Sequence, residues 1–213
     1  MNLNEKEKLE IASITKSMTC YLVITIADRF CIDLRKERLI VSERASRMQG
    51  TSAKLAYSDV LSIYDALHAL MLPSGNDAAI ALGEWGGKQI RKYSSLLRRM
   101  KMTKEEESEK SSNCIKSFTV KRKSHLKLFV HHMNRVAKYL GLTCTHFVNT
   151  HGLMNEKAYS CSQNISLLTY HAMRNAIFRD IVARQNYRCK IFNRTFSHSK
   201  EVTWENTNKL LCI

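Results

Sequence analysis

The sequence predicts an α+β chain dominated by helices, and three observations carry that prediction. Apolar residues recur at helical spacing in several long segments, a short β-branched piece at 38–42 looks like a strand, and alternation near the C-terminal end suggests a hairpin. A hydrophobic share of 44% over 213 residues supports a packed core, and no internal repeat divides the chain.

Residues 1–12 form a charged lead-in with room for no more than one strand or part of a helix. From 13 to about 27 the chain is apolar nearly all round, with Ile14, Met18, Tyr21, Leu22, Val23 and Ile26, as expected of a helix buried in a domain centre. A buried strand competes over 21–26, and the polar start at Ser13 favours the helix. After the strand-like piece at 38–42 comes a polar loop over 43–53. Ser58-Asp59 is expected to cap a helix on which Val60, Tyr64, Leu67 and Met71 share a face and which Pro73 ends. Ser74-Gly75-Asn76-Asp77 then reads as a turn. Behind it, 78–82 begins another apolar helix, expected to stop at Gly86-Gly87. Further on, Phe129, Met133, Val136 and Leu140 mark a helix closed by Gly141, and 145–153 is a loop or short strand. Ser162 is expected to cap a helix carrying Ile165, Leu168 and Ala172, a shorter helical turn spans 177–182, and Cys189, Ile191, Val202 and Trp204 lie on the two arms of the hairpin.

Lysine and arginine number 34 against 19 acidic residues, a formal charge of +15. That balance raises polyanion binding as a function. Its distribution weakens the case, because residues 91–127 hold 12 basic and 4 acidic side chains, so +8 sits in one stretch poor in large apolar residues. This stretch reads as a basic low-complexity insertion, disordered or loosely helical, within one domain. No apolar run approaches the roughly 18 residues of a membrane span, and the charged start carries no export signal. Seven cysteines, an odd number with no C-x-x-C pair, favour a reducing compartment over a paired disulfide framework.

Ser13 and Lys16 form a Ser-x-x-Lys pair. One helical turn apart, they share a face, and a lysine desolvated there can act as the base that a nucleophilic serine needs. By itself the pair also fits a capped helix with a solvated lysine, just as Ser74 and Asn76 by themselves fit an ordinary turn. His125, His131 and His132 lack the spacing of a metal motif, Cys144 is too close in sequence to His146 to pair with it, and no cofactor is called for.

Taken together these pieces resemble the D-alanyl-D-alanine carboxypeptidases, low-molecular-mass penicillin-binding proteins of the serine β-lactamase superfamily. Ala12-Ser13-Ile14-Thr15-Lys16-Ser17-Met18-Thr19 resembles the family's nucleophile motif. Leu72-Pro73-Ser74-Gly75-Asn76-Asp77-Ala78-Ala79 is similar to its Ser-x-Asn motif. Phe129-Val130-His131-His132-Met133-Asn134, Leu140-Gly141-Leu142, Thr145-His146-Phe147-Val148-Asn149 with His151-Gly152-Leu153, and Trp204-Glu205-Asn206-Thr207-Asn208-Lys209-Leu210-Leu211 resemble family landmarks in the family's order. The resemblance covers about 11–90 and 128–212.

It implies a DD-peptidase/β-lactamase-like α+β fold, mostly its helical region, with the antiparallel sheet incomplete at both chain ends. It also implies acyl transfer: Ser13 attacks the D-Ala-D-Ala carbonyl of a peptidoglycan stem peptide, Lys16 takes its proton, Ser74 relays it to the departing D-alanine, and Asn76 holds the substrate amide. β-Lactams would acylate the same serine. The family works outside the cytoplasm, which stands against the cysteine reading. The third superfamily motif, Lys-Thr-Gly, does not occur in these residues, and Ile11 and Thr150 stand where the family commonly has proline. A remnant that binds a peptide or partner without turnover is therefore the alternative to an enzyme, with polyanion binding through the basic stretch behind it.

Overall fold

The computed structural model describes residues 4–106 and 124–212. At its centre is α1 (Thr15–Arg29), in which Met18, Cys20, Leu22, Val23, Ile24 and Ile26 are buried, as its all-round apolar sequence requires. Two short antiparallel strands follow, β1 (Arg38–Ile40) and β2 (Val60–Ser62), with the single-turn α2 (Glu43–Ser46) between them. Helices α3 (Ile63–Met71), α4 (Asn76–Glu106), α5 (His125–Tyr139), α6 (Ser162–Met173) and α7 (Ala176–Ala183) pack around α1. The hairpin β3 (Asn186–Phe192) and β4 (Ser199–Glu205) completes a four-stranded antiparallel sheet in the order β1-β2-β3-β4. Helices beside one antiparallel sheet make this an α+β fold.

Four expectations are corrected. The helix expected from Ser58-Asp59 begins only at Ile63; Val60 and Leu61 pair with Ile40 and Leu39 in β2 instead. Its start is fixed by Ser62, whose hydroxyl accepts from the Asp65 amide while the Asp65 carboxylate accepts from the Ser62 amide, a reciprocal capping box. The polar loop over 43–53 contains α2, capped by Ser42. Cys161 rather than Ser162 precedes α6, and the Ser162 hydroxyl donates to the Glu5 carbonyl, tying the lead-in to that helix.

The largest difference is at Gly86-Gly87, where α4 does not stop. A Cβ on Gly87 would lie 1.9 Å from the His125 carbonyl oxygen, and one on Gly86 would lie 2.4 Å from the Phe129 ring. These glycines let α4 lie directly against α5, and that packing outweighs their poor helix propensity. The described part of the basic stretch is also engaged: Tyr93 stacks on Phe30 with ring centroids 3.4 Å apart, and Arg91 meets His125 at 3.0 Å. The rest of it, 107–123, lies outside the described residues.

Candidate active site

The turn 12–16 enters α1 through three successive short-range bonds, Thr15 N–H to the Ala12 carbonyl, Lys16 N–H to Ser13 and Ser17 N–H to Ile14. Ser13 therefore stands on the turn before the helix, exposed, rather than inside it. The same turn sends Lys16 inward, where its side chain is 2% exposed. Lys16 Nζ lies 3.0 Å from Ser13 Oγ and donates to the His151 carbonyl at 2.9 Å. Burial lowers the Lys16 pKa from its ordinary value to about 8, against an opposing pull from the Asp77 carboxylate. At pH 7 the neutral amine is then about 300-fold more populated than for an unperturbed lysine.

The loop that receives Lys16 is itself fastened. Thr19 Oγ1 donates to the Thr150 carbonyl at 2.8 Å, and Asn149 Oδ1 accepts from the amides of His151 and Gly152. Gly152, at φ +84°, comes so close to the turn that carries Ser13 that a Cβ on it would lie 2.0 Å from the Ala12 carbonyl oxygen. His151 Nδ1 accepts from the Leu153 amide, and burial, with Lys16 and Arg44 nearby, holds the imidazole neutral with a pKa of about 4.

Asn76 opens α4, and its buried amide donates to the Gln49 carbonyl at 2.8 Å. The next residue, Asp77, anchors the whole turn. Its carboxylate, 1% exposed, accepts from Ser52 Oγ and from the amides of Ala53, Leu55 and Ala78, at the helix end where negative charge is favoured. Ser74 takes a left-handed conformation at φ +57°, and its carbonyl accepts from Thr51 Oγ1. A Cβ on Gly50 would sit 2.7 Å from Asn76 Nδ2 and 3.5 Å from Leu153 Cδ2, so the Asn76 segment meets the loop that holds Lys16.

Of the four residues singled out in the sequence, the structure bonds Ser13 to Lys16 directly and brings Asn76 to the same loop. Among the described residues the Ser74 hydroxyl makes no hydrogen bond to Ser13 or Lys16. Sequence reasoning missed the His151 carbonyl, the Gln49–Gly50 segment and Asp77. Asp77 left a local signal, an acid in the first turn of a helix, and His151 lay in the His151-Gly152-Leu153 block that resembles the family.

The family model for D-alanyl-D-alanine carboxypeptidases matches residues 1–92 and 121–213. The chain belongs to the D-alanyl-D-alanine carboxypeptidase family. A D-alanyl-D-alanine carboxypeptidase of Streptomyces sp. (strain K15) is 30% identical over 204 residues, which cover 93% of this chain and 58% of the relative. The carboxypeptidase DacF of Bacillus subtilis (strain 168) is 27% identical over 81% of this chain and 35% of its own length. Among solved structures, the Streptomyces K15 DD-transpeptidase superposes with a TM-score of 0.75 at 26% identity, covering 99% of this chain and 69% of that one. Penicillin binding protein 6B from Escherichia coli shares the fold, with a TM-score of 0.71 over 98% of this chain and 53% of that one at 22% identity. The chain thus spans little more than half the length of the first of these curated family members.

Proposed function

We propose that this chain carries the acylation chemistry of a serine-type D-Ala-D-Ala carboxypeptidase. Ser13 Oγ attacks the carbonyl between the two terminal D-alanines of a peptidoglycan stem peptide and passes its proton to neutral Lys16. The carbon–nitrogen bond then breaks, and Ser74 relays the proton from Lys16 to the departing amine. Asn76 holds the substrate amide, and water hydrolyses the serine ester to regenerate Ser13. The observation that carries this reading is the desolvated amine of Lys16, 3.0 Å from an exposed serine hydroxyl and fixed on its other side by a main-chain carbonyl.

The 213 residues contain no Lys-Thr-Gly, whose strand in the family supplies an oxyanion donor and a carboxylate site. Losing one oxyanion donor costs about 10²–10³ in rate. For this stretch taken alone, acylation by a strained β-lactam is therefore expected to outlive peptide turnover. Incubation with a fluorescent penicillin, followed by intact-mass measurement, should add one acyl group to the wild type and none to Ser13→Ala. Labelling that persists in Ser13→Ala would mean the nucleophile is misassigned. A wild type that binds stem peptide but takes no label would leave the binding-only alternative standing.

A further inference from the structure

The end of α1 away from Ser13 opens onto a cavity of about 530 Å³ formed with α4 and α5. Helix α1 has 15 residues, so Arg29 stands about 21 Å along it from Thr15. The walls are apolar and aromatic. Leu22 and Ile26 of α1 and Ile90 of α4 are buried there, Val136 of α5 is half-buried, and Phe30 stacks on Tyr93. Tyr139 stands at the mouth, 89% exposed. The charge on the lining is of one sign: Arg29 and Arg135 contribute to it, and no Asp or Glu does. Helix α5 contains no acidic residue, and α4 contains none between Glu84 and Glu105. Asp28, the one acid on α1, lines a different cavity with Asp33 and Arg35. Among the described residues neither the Arg29 nor the Arg135 side chain makes an ion pair or a hydrogen bond.

Other polar groups of the lining are already engaged. The Tyr93 hydroxyl donates to the Phe30 carbonyl, the Thr25 hydroxyl to the Tyr21 carbonyl and His132 Nδ1 to the Leu128 carbonyl, and burial lowers the His132 pKa, so the two guanidinium groups are the charged donors left for a ligand. A guanidinium pairs with a carboxylate through parallel hydrogen bonds, and apolar walls favour each methylene withdrawn from water. We propose that this cavity binds a small amphiphile, an aliphatic chain ending in a carboxylate, at a site separate from that of the peptide substrate. The chain lies between Leu22, Ile26, Ile90 and Val136, and the carboxylate is held at the mouth by Arg29 and Arg135. Ser13 takes no part in this binding, so the inference stands independently of its reading as the nucleophile.

The test is calorimetry on the full chain with probes of equal chain length, octanoate, octan-1-ol and octyltrimethylammonium, each below its micelle concentration. Octanoate should bind one per chain and about five-fold more tightly than octan-1-ol, as expected for a carboxylate meeting two exposed cations, with octyltrimethylammonium weaker than either. Hexanoate, two methylenes shorter, should bind about ten-fold more weakly than octanoate. Arg29→Gln with Arg135→Gln should bring octanoate and octan-1-ol to the same affinity. The same loss of charge at exposed positions elsewhere, Lys157→Gln with Lys190→Gln, should keep the preference. No saturable binding of octanoate, equal binding of the cation, no dependence on chain length, or a preference that survives the Arg29 and Arg135 substitutions overturns the site. Binding to phosphatidylglycerol vesicles without binding of octanoate also overturns it, by making this face a membrane contact.

Discussion

Lys16 and His68 are both basic side chains withdrawn from water, 2% and 0% exposed, and burial lowers the pKa of each, to about 8 and about 4. Their surroundings differ. His68 donates from Nδ1 to the Tyr64 carbonyl, is stacked on Tyr187 at 3.6 Å, and has an Nε2 without a partner among the described residues. Tyr187 and Tyr64 close the cluster by donating to Asp65 and Asp180. Lys16 instead faces an exposed hydroxyl. A shifted pKa therefore marks burial in both places, and only contact with an accessible nucleophile makes one of them a candidate for chemistry.

The largest test of that contrast is Lys16→Ala, which should slow penicillin labelling by about 10²–10⁴-fold, the usual worth of a general base. Labelling at the wild-type rate would remove Lys16 from the reaction. In the wild type the labelling rate should climb with pH and level off above about 8, because the reactive form is the neutral amine. A profile that is flat between pH 6 and 9 would break the assignment.

His68 should show itself in stability rather than in labelling. Its folded pKa, about 4, lies below the 6.5 of the unfolded chain, so the unfolded state takes up the proton first. The stability present above pH 6.5 is lost as pH falls towards 4, by up to about 3 kcal/mol, and His151 acts in the same window. Lys16 acts at the other end: folding is penalised below pH 8, and the penalty lifts as pH rises to 10.5. Urea midpoints across this range check both signs, and His68→Gln should reduce the acidic limb to the share of His151 and leave the alkaline limb unchanged.

A smaller effect is expected from Tyr187→Phe, which deprives Asp65 of one donor and should cost about 1 kcal/mol of stability. Its labelling rate should match the wild type. A large loss of labelling would show that the two buried bases are coupled.

The smallest effect concerns residues 107–120, the part of the basic stretch that we propose to be an insertion dispensable for the core. The family model matches residues on both sides of 93–120. Removing 107–120 should change stability by less than about 0.5 kcal/mol and leave labelling intact. Loss of cooperative unfolding would show that part of the core had been taken for an insertion. Deleting further, into Ser124, would remove the cap of α5, whose hydroxyl accepts from Lys127 N–H.

Most helices were legible because their signals are local: the apolar run of α1, the 129-133-136-140 spacing of α5 with Gly141 behind it, and the alternation of the hairpin. The same locality misled at Gly86-Gly87, where a stop signal along the chain is a contact surface across it, and at Val60, where helical spacing yielded to pairing with β1. Ser13 and Lys16 could be paired on paper because they stand one turn apart. What sequence alone determined was thus the pairing of Ser13 with Lys16 and the residue types around them. Tertiary structure decided the rest: the His151 carbonyl, 135 residues from Lys16, that fixes the amine, and the burial that lowers its pKa. Both depend on segments far apart in the chain coming together, and desolvation is a property of that assembly rather than of any residue in it.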